Sequence, residues 1–570
     1  MKRNKLDRFI EIAEPIVVYS FIAFIFVGSV FIPIVVAYVL LAFSVYWLFM
    51  SLKFITFLVL SLAKVRESKT VNWMLRNHAL INPEEVIGQL TEDLYELEND
   101  SSKPQYRKLI SYVKYKLGKN YAKRFLKNEI KYLRRVTSKQ YKYNYLDLIH
   151  VFIMAEYKEP VGTIIRTMKT VIDNDFPMNK VYFVVGQEER DKTVPERRAQ
   201  LEIEAKKLGF AGVWFTSHPA DTPGEIIGKA SNENFAARFV SDKATEMGWD
   251  PEKVILHTHD ADNNYGKKYL SQLSFKYCIN DYPTRRIYHA GIVYYNNIDK
   301  IPIPNKIVNA LNSMWNIQLL SAGYKLIPVS SYGLSLDMAR DVGFWDPDVM
   351  PEDHHMFYKC FFKYGDVVQT IPIFSLGSVD AAEDVTVRKT VYNQYKQFQR
   401  WAYGVSDITY IVRQMFVSKV NLFSRVDRTF HFLQTHFLWS TTWFVITLGS
   451  SIPVYLNPRF KETVLGENLQ VLTSSMFTVT FLAFLFAIIS DIFLRPKSGS
   501  KFDTTVIRFF RTVEWLTLPV VTFFYSTLPG LDAHTRLLFG KYLEYHTTVK
   551  VDPNKPEAVI ERPSEVQKPV

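Results

Sequence analysis

The chain has 570 residues, which is too long for one ordinary soluble domain and suggests two or three units. Its formal net charge of +12 suits a partner that is nucleic acid, anionic lipid or a phosphorylated substrate. The only two cysteines, Cys278 and Cys360, exclude a disulfide framework and a C-x-x-C metal site. They indicate that the soluble part lies in a reducing compartment.

The first predicted element is a pair of membrane-crossing helices between Ile16 and Leu62. Lys53 is the only charged residue in this run, which is too long for one crossing of about 20 residues and suits two. Gly28-Ser29 and Pro33 supply the turn of a hairpin. Basic residues flank both ends, which predicts that both ends, and therefore the middle of the chain, are cytosolic.

Residues 66–145 form a polar, basic segment in which Lys, Tyr and Leu recur at helical spacing. Two interpretations are open: a helical connector that lies against anionic lipid, or a segment with a dedicated binding role. We favour the connector, because basic side chains are attracted to an anionic bilayer surface.

From residue 146 onward, short apolar runs alternate with helical stretches. The predicted strands are Leu146–Met154, Lys180–Val185, Gly212–Thr216 and Lys253–Thr258. The predicted helices between them are Val161–Ile172, Pro195–Leu208 and Gly228–Thr245. This alternation predicts an α/β domain with a mostly parallel sheet, in which ligands bind at the carboxyl ends of the strands.

Asp260-Ala261-Asp262 directly follows the fourth predicted strand, at such a carboxyl end. Two carboxylates in a D-x-D loop can share a hard divalent cation, which also takes oxygens from a diphosphate. Sugar transfer from a nucleotide needs such a cation to neutralise the departing diphosphate. Asp pairs are also common in ordinary turns, so the motif alone is ambiguous.

Glu352-Asp353 follows Pro351 at the start of an apolar helical stretch. Taken alone, the pattern favours helix-start chemistry, since Pro and acidic residues suit the first turn of a helix. The alternative is that one carboxylate is a general base that takes a proton from an acceptor hydroxyl.

Gln397, Arg400 and Trp401 are spaced so that they share one face of a helix. One interpretation is an amphipathic helix at the membrane surface, with Trp401 as its aromatic anchor. The other adds that Arg400 pairs with a diphosphate while Trp401 lines the acceptor site.

Two further apolar stretches, Phe432–Leu456 and Val471–Leu494, each have the length and composition of a membrane crossing. A shorter one, Val513–Leu531, contains two prolines and precedes basic residues, so a re-entrant or interfacial segment fits it better. We therefore predict four crossings, followed by a disordered tail at residues 551–570.

The three motifs occur in this order, between two sets of membrane helices. Together they resemble the membrane-integrated family 2 glycosyltransferases, which include the cellulose, hyaluronan and chitin synthases. The resemblance runs from about Ile149 to Gly404. It implies a cytosolic α/β domain of the GT-A (nucleotide-diphospho-sugar transferase) fold in addition to α-helical transmembrane segments, and a Mg²⁺ or Mn²⁺ cofactor.

The resemblance also implies roles for individual residues. Asp260 and Asp262 would hold the metal, and Asp353 would be the catalytic base. Residues implied at the donor nucleotide are Tyr157, Glu159, Glu188, Glu189, Lys229, Asp260 and Arg400. Residues implied at the acceptor and the diphosphate are Glu352, Gln397 and Trp401.

The chain departs from the family pattern near the nucleotide base. The family usually ends its second strand with an Asp pair, whereas this strand ends in Gly186-Gln187-Glu188-Glu189, so Glu188 or Glu189 would substitute. Ala155 and Lys158 replace the Pro and Asn of the family's P-x-Y-N-E segment. These changes indicate a distinct branch of the family.

The predicted organisation has six parts. They are a transmembrane hairpin (1–65), the basic connector (66–145), the GT-A domain (146–390), interfacial amphipathic helices (391–430), a transmembrane and re-entrant region (431–550) and the tail (551–570). We expect an inverting single displacement at the cytosolic face of a multi-pass protein of the cell membrane. The expected partners are a nucleotide-sugar donor, a lipid-linked or polysaccharide acceptor and the bilayer, with no nucleic acid.

Two rival functions stay open. His257 and His259 alternate with Asp260 and Asp262 in a way that suits Zn²⁺ in a metal-dependent hydrolase, although no later His cluster completes that site. The second rival is a membrane protein that binds a sugar nucleotide without catalysis, which the carboxylates of the motifs argue against.

Overall fold

A sheet of seven strands, in the order β3-β2-β1-β4-β6-β5-β7, lies at the centre of the α/β part. This computed structural model describes residues 5–99, 118–495 and 511–543. The strands are β1 (Ile149–Ala155), β2 (Val181–Glu188), β3 (Gly212–His218), β4 (Val254–His259), β5 (Arg286–Val293), β6 (Tyr332–Ser335) and β7 (Gln369–Ser378). The first four are those that the apolar pattern predicts, and the other three extend the sheet.

Strands β1 to β4 confirm the predicted parallel arrangement. β1 pairs in parallel with β2 on one side and with β4 on the other, and β3 pairs in parallel with β2. β2 and β3 continue past their predicted ends, because Gln187 and Glu188 pair with Ser217 and His218. Backbone hydrogen bonds therefore extend these strands through polar residues that an apolar pattern does not include.

The remaining part of the sheet is mixed. β6 runs antiparallel to both β4 and β5, while β5 and β7 are parallel. Gly333 of β6 lies opposite His257 of β4, and a Cβ at Gly333 would be 3.2 Å from the His257 ring. A glycine therefore gives the imidazole room, and the end of β4 lies in the middle of the sheet.

The helices complete the fold around this sheet. In the first half of the chain they are α1 (Lys5–Phe31), α2 (Pro33–Thr70), α3 (Trp73–Ala79), α4 (Pro83–Asn99), α5 (Lys119–Thr137), α6 (Val161–Ile172), α7 (Val194–Lys206), α8 (Lys229–Glu246) and α9 (Tyr269–Cys278). In the second half they are α10 (Ile303–Leu319), α11 (Leu336–Val342), α12 (Glu352–Tyr364), α13 (Val387–Ala402), α14 (Ile408–Val417), α15 (Leu422–Trp443), α16 (Ile452–Leu456), α17 (Pro458–Lys461), α18 (Val464–Leu494), α19 (Leu518–Thr522) and α20 (Leu528–Phe539). The helices predicted between the first four strands are α6, α7 and α8, and all three are present.

Successive side chains of the central strands pack on opposite faces of the sheet, as the pleat of a strand requires. Val151 and Ile153 of β1 join one buried cluster, with apolar residues of α8, α11 and α12. Phe152 and Met154 join the other, with apolar residues of α6, α7 and α9. The domain therefore has three layers, and its strands are buried on both faces, which explains their continuous apolar runs.

Within the described ranges, α1, α2 and α18 are long and apolar enough to cross a membrane. α1 ends at Phe31 and Pro33 begins α2, which agrees with the predicted break between the two N-terminal crossings. Both outer ends of this pair contact helices outside it: Asp7 forms an ion pair with Arg413 of α14 at 2.6 Å, and Ser68 Oγ donates to Gln272 of α9 at 3.2 Å. The pair therefore turns back on itself as a hairpin.

The stretch Phe432–Leu456 is helical but not one regular α-helix, and its crossing of the membrane stays a prediction. α15 ends at Trp443, a π-helical segment follows at Phe444–Gly449, and short α16 ends at Leu456. Pro453 has no backbone N–H to continue a helix. The polar residues Arg428 and Thr429 of α15 are buried, so the face of α15 that carries them packs against other parts of the protein. This region is not among the three membrane-length helices of the described residues.

The stretch Val513–Leu531 is also broken, into a 3₁₀ turn, α19, a π-helical segment at Phe523–Thr527 and the start of α20. Tyr525 Oη donates to Asn305 Oδ1 of α10 at 3.0 Å, and its ring lies near Phe398 of α13. The segment therefore packs on the α/β domain, and it is not one of the membrane-length helices either.

The connector is helical in the residues that the structure describes. α4 and α5 pack together through Val86, Leu90, Leu126 and Leu133. Residues 100–117, within the connector, and the predicted disordered tail at 551–570 lie outside the described residues. Contact between the connector and lipid stays a prediction.

Candidate active site

The D-x-D residues lie where the sequence predicts, at the carboxyl end of β4. Met154 of β1 is the register partner of His259, the last residue of β4, so the ends of these two strands are adjacent. Thr167 of α6 donates to the carbonyl of Ala261 at 2.7 Å. Asp262 Oδ2 accepts the backbone N–H of Asp380, just after β7, at 2.7 Å. Contacts from two distant segments therefore fix the loop.

Lys229 connects the predicted motifs to one another. Its Nζ lies 3.1 Å from Asp260 Oδ1 and 3.1 Å from Glu352 Oε1. The same ammonium donates to the Ser330 carbonyl at 3.2 Å and lies 3.5 Å from Glu233 Oε1. Burial alone would lower the pKa of Lys229, but the carboxylates around it raise that pKa well above its usual range. Lys229 thus ties the D-x-D loop to α12, the helix that begins with Glu352-Asp353 and is called the E-D helix below.

Glu352 and Asp353 begin α12, as the helix-start interpretation predicts. Glu352 is buried, which raises its pKa, while the charge of Lys229 lowers it. Asp353 Oδ1 accepts the backbone N–H of His354 at 2.7 Å, and its side chain is 25% exposed. The helix-start interpretation is therefore confirmed, and the general-base interpretation stays a prediction.

The Q-x-x-R-W residues lie in the last turns of α13. Gln397 Oε1 accepts from Gln394 at 2.8 Å, and Trp401 packs against Tyr294 with ring centroids 5.9 Å apart. The charge of Arg400 lowers the pKa of Glu352, so the two groups are close enough to interact electrostatically. The structure thus brings Lys229, the D-x-D loop, the E-D helix and the end of α13 close to one another.

Around the ends of β1 and β2, the structure brings together some of the residues implied at the base. Ala155 is the register partner of Gly186, so the segments after them are neighbours. The Arg190 guanidinium lies 3.8 Å from the centre of the Tyr157 ring and pairs with Glu188. Glu159 is half-buried and Glu189 is exposed.

Sequence reasoning missed two buried carboxylates in this region. Glu156 accepts from Arg197 at 2.9 Å and from Gln187 at 2.8 Å. Burial raises the pKa of Glu156, and the charge of Arg197 lowers it. Glu156 occupies the unspecified position of the P-x-Y-N-E segment, and nothing in the sequence marks Arg197 of α7 as its partner.

Glu233 is the second missed carboxylate. It follows Lys229 by four residues on α8, and this helical spacing is the signal that would have identified it. Burial raises its pKa to about 8, partly offset by the charge of Lys229. It also accepts a hydrogen bond from Thr258 of β4.

A family match covers the part of the chain that contains most of these residues. Residues 255–490 match the model of the glycosyl transferase family group 2. This segment is similar to the family 2 glycosyltransferases. The match begins in β4 and includes the D-x-D, E-D and Q-x-x-R-W motifs, and it ends in α18. With the mixed α/β sheet around it, the match confirms the predicted GT-A fold class.

Several solved structures are similar to this chain. The mannosyltransferase PcManGT from Pyrobaculum calidifontis, in complex with GDP-Man and Mn²⁺, is 14% identical, with 72% of this chain and 93% of that chain covered and a TM-score of 0.38. TarS 1–349 from S. aureus, in complex with UDP-GlcNAc, is 12% identical, with 59% and 92% covered and a TM-score of 0.31. GalNAc-T7 with UDP, GalNAc and Mn²⁺ is 10% identical, with 53% and 58% covered and a TM-score of 0.26. No curated protein sequence matches the chain.

The carboxylates of the matched segment fit a divalent cation that binds together with a diphosphate. Within the described ranges, no group of three or more His, Cys, Asp or Glu side chains is arranged to hold a metal ion by itself. Asp260 and Asp262 are hard oxygen ligands at a strand end, where diphosphate oxygens would complete the coordination of Mg²⁺ or Mn²⁺. The donor set therefore suits an ion that arrives with the sugar nucleotide.

The two histidines of the rival hydrolase site, His257 and His259, are buried in the core, where each lies close to another polar group. His257 Nε2 lies 2.9 Å from His150 Nδ1, and His257 Nδ1 lies 3.0 Å from Tyr269 Oη. His259 is fully buried, and its Nδ1 lies 3.0 Å from the Asp260 carbonyl. The structure therefore does not bring the two histidines and the two aspartates together as ligands of one ion.

Proposed function

We propose that this protein is an inverting, metal-dependent glycosyltransferase of the cell membrane. It transfers a sugar from a nucleotide-sugar donor to a lipid-linked or polysaccharide acceptor. The observation that carries the proposal is the position of Lys229, whose ammonium contacts the D-x-D loop and the E-D helix at the same distance of 3.1 Å. Residues that would serve the donor and residues that would serve the acceptor thus belong to one connected site.

Asp353 is the proposed base, and it takes the proton of the acceptor hydroxyl as that oxygen attacks the anomeric carbon. Its Oδ1 is held by a backbone N–H, and a quarter of its side chain is exposed to a docking acceptor. Glu352 beside it is paired with Lys229, which leaves Asp353 as the carboxylate of the motif that faces the acceptor. Attack from this side displaces the nucleotide from the other side, and the configuration inverts.

Asp260 and Asp262 are the proposed metal residues, and Mg²⁺ or Mn²⁺ bound there neutralises charge on the leaving nucleoside diphosphate. Arg400 supplies a fixed positive charge at the same place, and a guanidinium suits phosphate oxygens because its donors form a planar fork. Lys229 adds a second charge close to Asp260. Gln397 and Trp401 are the proposed acceptor-side residues of α13.

The donor base is proposed to bind at the ends of β1 and β2. Tyr157 offers an aromatic face, and Glu188 and Glu189 offer acceptors for a base edge, with Glu159 close by in sequence. Arg190 covers the Tyr157 ring in the free protein, so a base that stacks there has to displace the guanidinium. The helices α1, α2 and α18 are proposed to cross the cell membrane, with the α/β domain on the cytosolic side.

The test uses the full chain in detergent or in vesicles, with Mn²⁺ and a panel of sugar nucleotides, and follows release of nucleoside diphosphate. We expect one donor to be consumed, and Asp353→Asn to abolish transfer while donor binding stays close to wild type. Asp341→Asn is the matched control, because Asp341 pairs with Lys363 near the surface, away from the site. Binding of a donor without release of its diphosphate would favour the non-catalytic rival. Release of phosphate would favour a hydrolase.

A further inference from the structure

Two adjacent histidines follow the proposed base and have no part in the transfer described so far. His354 and His355 lie in the first turn of α12, and Asp407 ends the 3₁₀ turn Tyr403–Asp407 that follows α13. His354 Nε2 lies 3.5 Å from Asp407 Oδ2, and His355 Nδ1 lies 2.7 Å from Asp407 Oδ1. One buried carboxylate therefore faces both imidazoles.

The other nitrogen of His354 faces the base. Its Nδ1 lies 3.7 Å from Asp353 Oδ1. Neither contact is a hydrogen bond in this structure, and among the described residues His354 Nε2 and Asp407 Oδ2 have no other hydrogen-bond partner. A hydrogen bond to one ring nitrogen sets the tautomer of a histidine, so these contacts would set it once they shorten. With its proton on Nε2 toward Asp407, His354 would then present a lone pair on Nδ1 to Asp353. Such contacts commonly shorten when the substrates bind.

The other carboxylate oxygen of Asp407, Oδ1, is held by a hydrogen bond from His355. His355 donates to Asp407 with Nδ1 and to Asp346 Oδ2 with Nε2, the latter at 2.9 Å, and Asp346 also pairs with Lys359. Burial alone would lower the pKa of His355, but these two carboxylates raise it to about 9. His355 is therefore an imidazolium at neutral pH, and it fixes the orientation of Asp407.

The ring of His354 packs closely against Gly404, between Asp353 and Asp407. A Cβ at Gly404 would be 3.0 Å from its Cε1 and 3.7 Å from Cε1 of His436 on α15, so the glycine leaves room for both rings. The titratable groups facing His354 are Asp353 and Tyr358 on its own helix, Asp407 on the turn and His436 on α15. The ring remains 21% exposed, which gives it a route to water.

We propose that His354, oriented by Asp407, is the terminal proton acceptor behind Asp353 in the transfer reaction. The inference rests on the proposed function. It extends the general base from Asp353 alone to Asp353, His354 and Asp407. As the acceptor oxygen attacks, its O–H proton moves to Asp353, and the Asp353 proton moves to His354 Nδ1. The imidazolium is stabilised by Asp407 and then loses a proton to water, so every group returns to its starting state. An imidazole is the better proton acceptor near neutral pH, which is the reason for such a relay.

The test is the His354→Ala chain assayed with its donor, its acceptor and added imidazole. We expect the turnover rate to fall about 100-fold, a general-base effect, while the dissociation constant of the donor changes less than about twofold. Imidazole should restore turnover, and substituted imidazoles should restore it in the order of their basicity. A purely structural role of His354 would give no such order. Asp407→Asn should lower turnover in the same way without rescue, and Asp341→Asn should not.

Unchanged turnover of the His354→Ala chain would overturn the relay, and so would a loss that no imidazole restores in a chain with wild-type melting temperature. His354→Gln is the second variant, because it keeps a polar side chain of similar length and should also be slow. Asp353→Asn separates the two proposals. If it is inactive while His354→Ala is fully active, the relay fails and the proposed function stands. If Asp353→Asn is fully active, the assigned base itself fails.

Discussion

Replacement of Lys229 by Met removes the one ammonium that the D-x-D loop and the E-D helix share. Its Nζ lies within 3.5 Å of oxygens of Glu233, Asp260 and Glu352. Glu233 is fully buried, which raises its pKa, and the loss of Lys229 raises it further, so its neutral form is favoured and needs no counter-ion. The Asp260 side chain is 36% exposed, and water replaces part of the lost contact.

The main effect therefore falls on buried Glu352. An uncompensated buried charge destabilises a protein by about 3–5 kcal/mol, and for Glu352 we take about 3 kcal/mol because Arg400 remains nearby. For a domain of this size that is a fall in melting temperature of about 6–12 °C. The fall should be smaller at pH 5 than at pH 8, because burial raises the pKa of Glu352 and the loss of Lys229 raises it further, which favours the neutral form as the pH falls.

The assay is thermal unfolding of the full chain in detergent, followed by tryptophan fluorescence at pH 5 and pH 8. Lys243→Met is the matched control on the same helix, since Lys243 forms an exposed i,i+3 pair with Glu246. It should change stability by less than about 0.5 kcal/mol. A Lys229→Met chain that melts with the wild type at pH 8 would refute the reasoning, because the buried carboxylates would then need no counter-ion.

Three further predictions concern the same region. Asp262→Asn should remove the stimulation of activity by Mn²⁺ and lower turnover at least about 100-fold, measured as diphosphate release over a Mn²⁺ titration. Turnover that still rises with Mn²⁺ would place the ion elsewhere. Gly404→Ala should destabilise the chain by about 1–3 kcal/mol, because the new Cβ would press on the His354 ring at 3.0 Å. An unchanged melting temperature would mean that the ring moves freely. Since folding raises the pKa of His355 from 6.5 to about 9, its ion pairs should contribute about 3 kcal/mol that is fully present below pH 6.5 and lost as the pH rises through 9. Melting curves from pH 6 to pH 10 should show this loss in the wild type and not in His355→Gln.

The parallel half of the sheet could be predicted because each of its strands is buried on both faces. Residues such as Val151 and Phe152 point to opposite sides of the sheet, and both sides are covered by helices, so the strand is a continuous apolar run. The position of Asp260 at the end of a strand could be predicted for the same reason. The helix start at Glu352 could be predicted from Pro351 and from the acidic residues of the first turn.

The breaks in the C-terminal helices could not be predicted from hydropathy. Phe444–Gly449 has an apolar sequence, but its backbone adopts a π-helical turn. Gly449 lies against Leu40 of α2, so a Cβ there would be 2.8 Å from that side chain. A composition average describes how much apolar surface a segment carries, and it does not describe where a neighbouring helix makes the backbone depart from the regular α-helix.

The amino-acid sequence by itself determined the class of the domain, the placement of the D-x-D, E-D and Q-x-x-R-W segments on their elements, and two N-terminal helices of membrane length. Only the tertiary structure decided which charges compensate one another. Lys229 and Glu352 are far apart in the chain, and Glu156 and Arg197 are on different elements, yet each pair is in contact. The physical reason is that periodicity and helix-end signals act over a few neighbouring residues. Charge compensation depends on distances of 3–4 Å that exist only after the sheet has assembled.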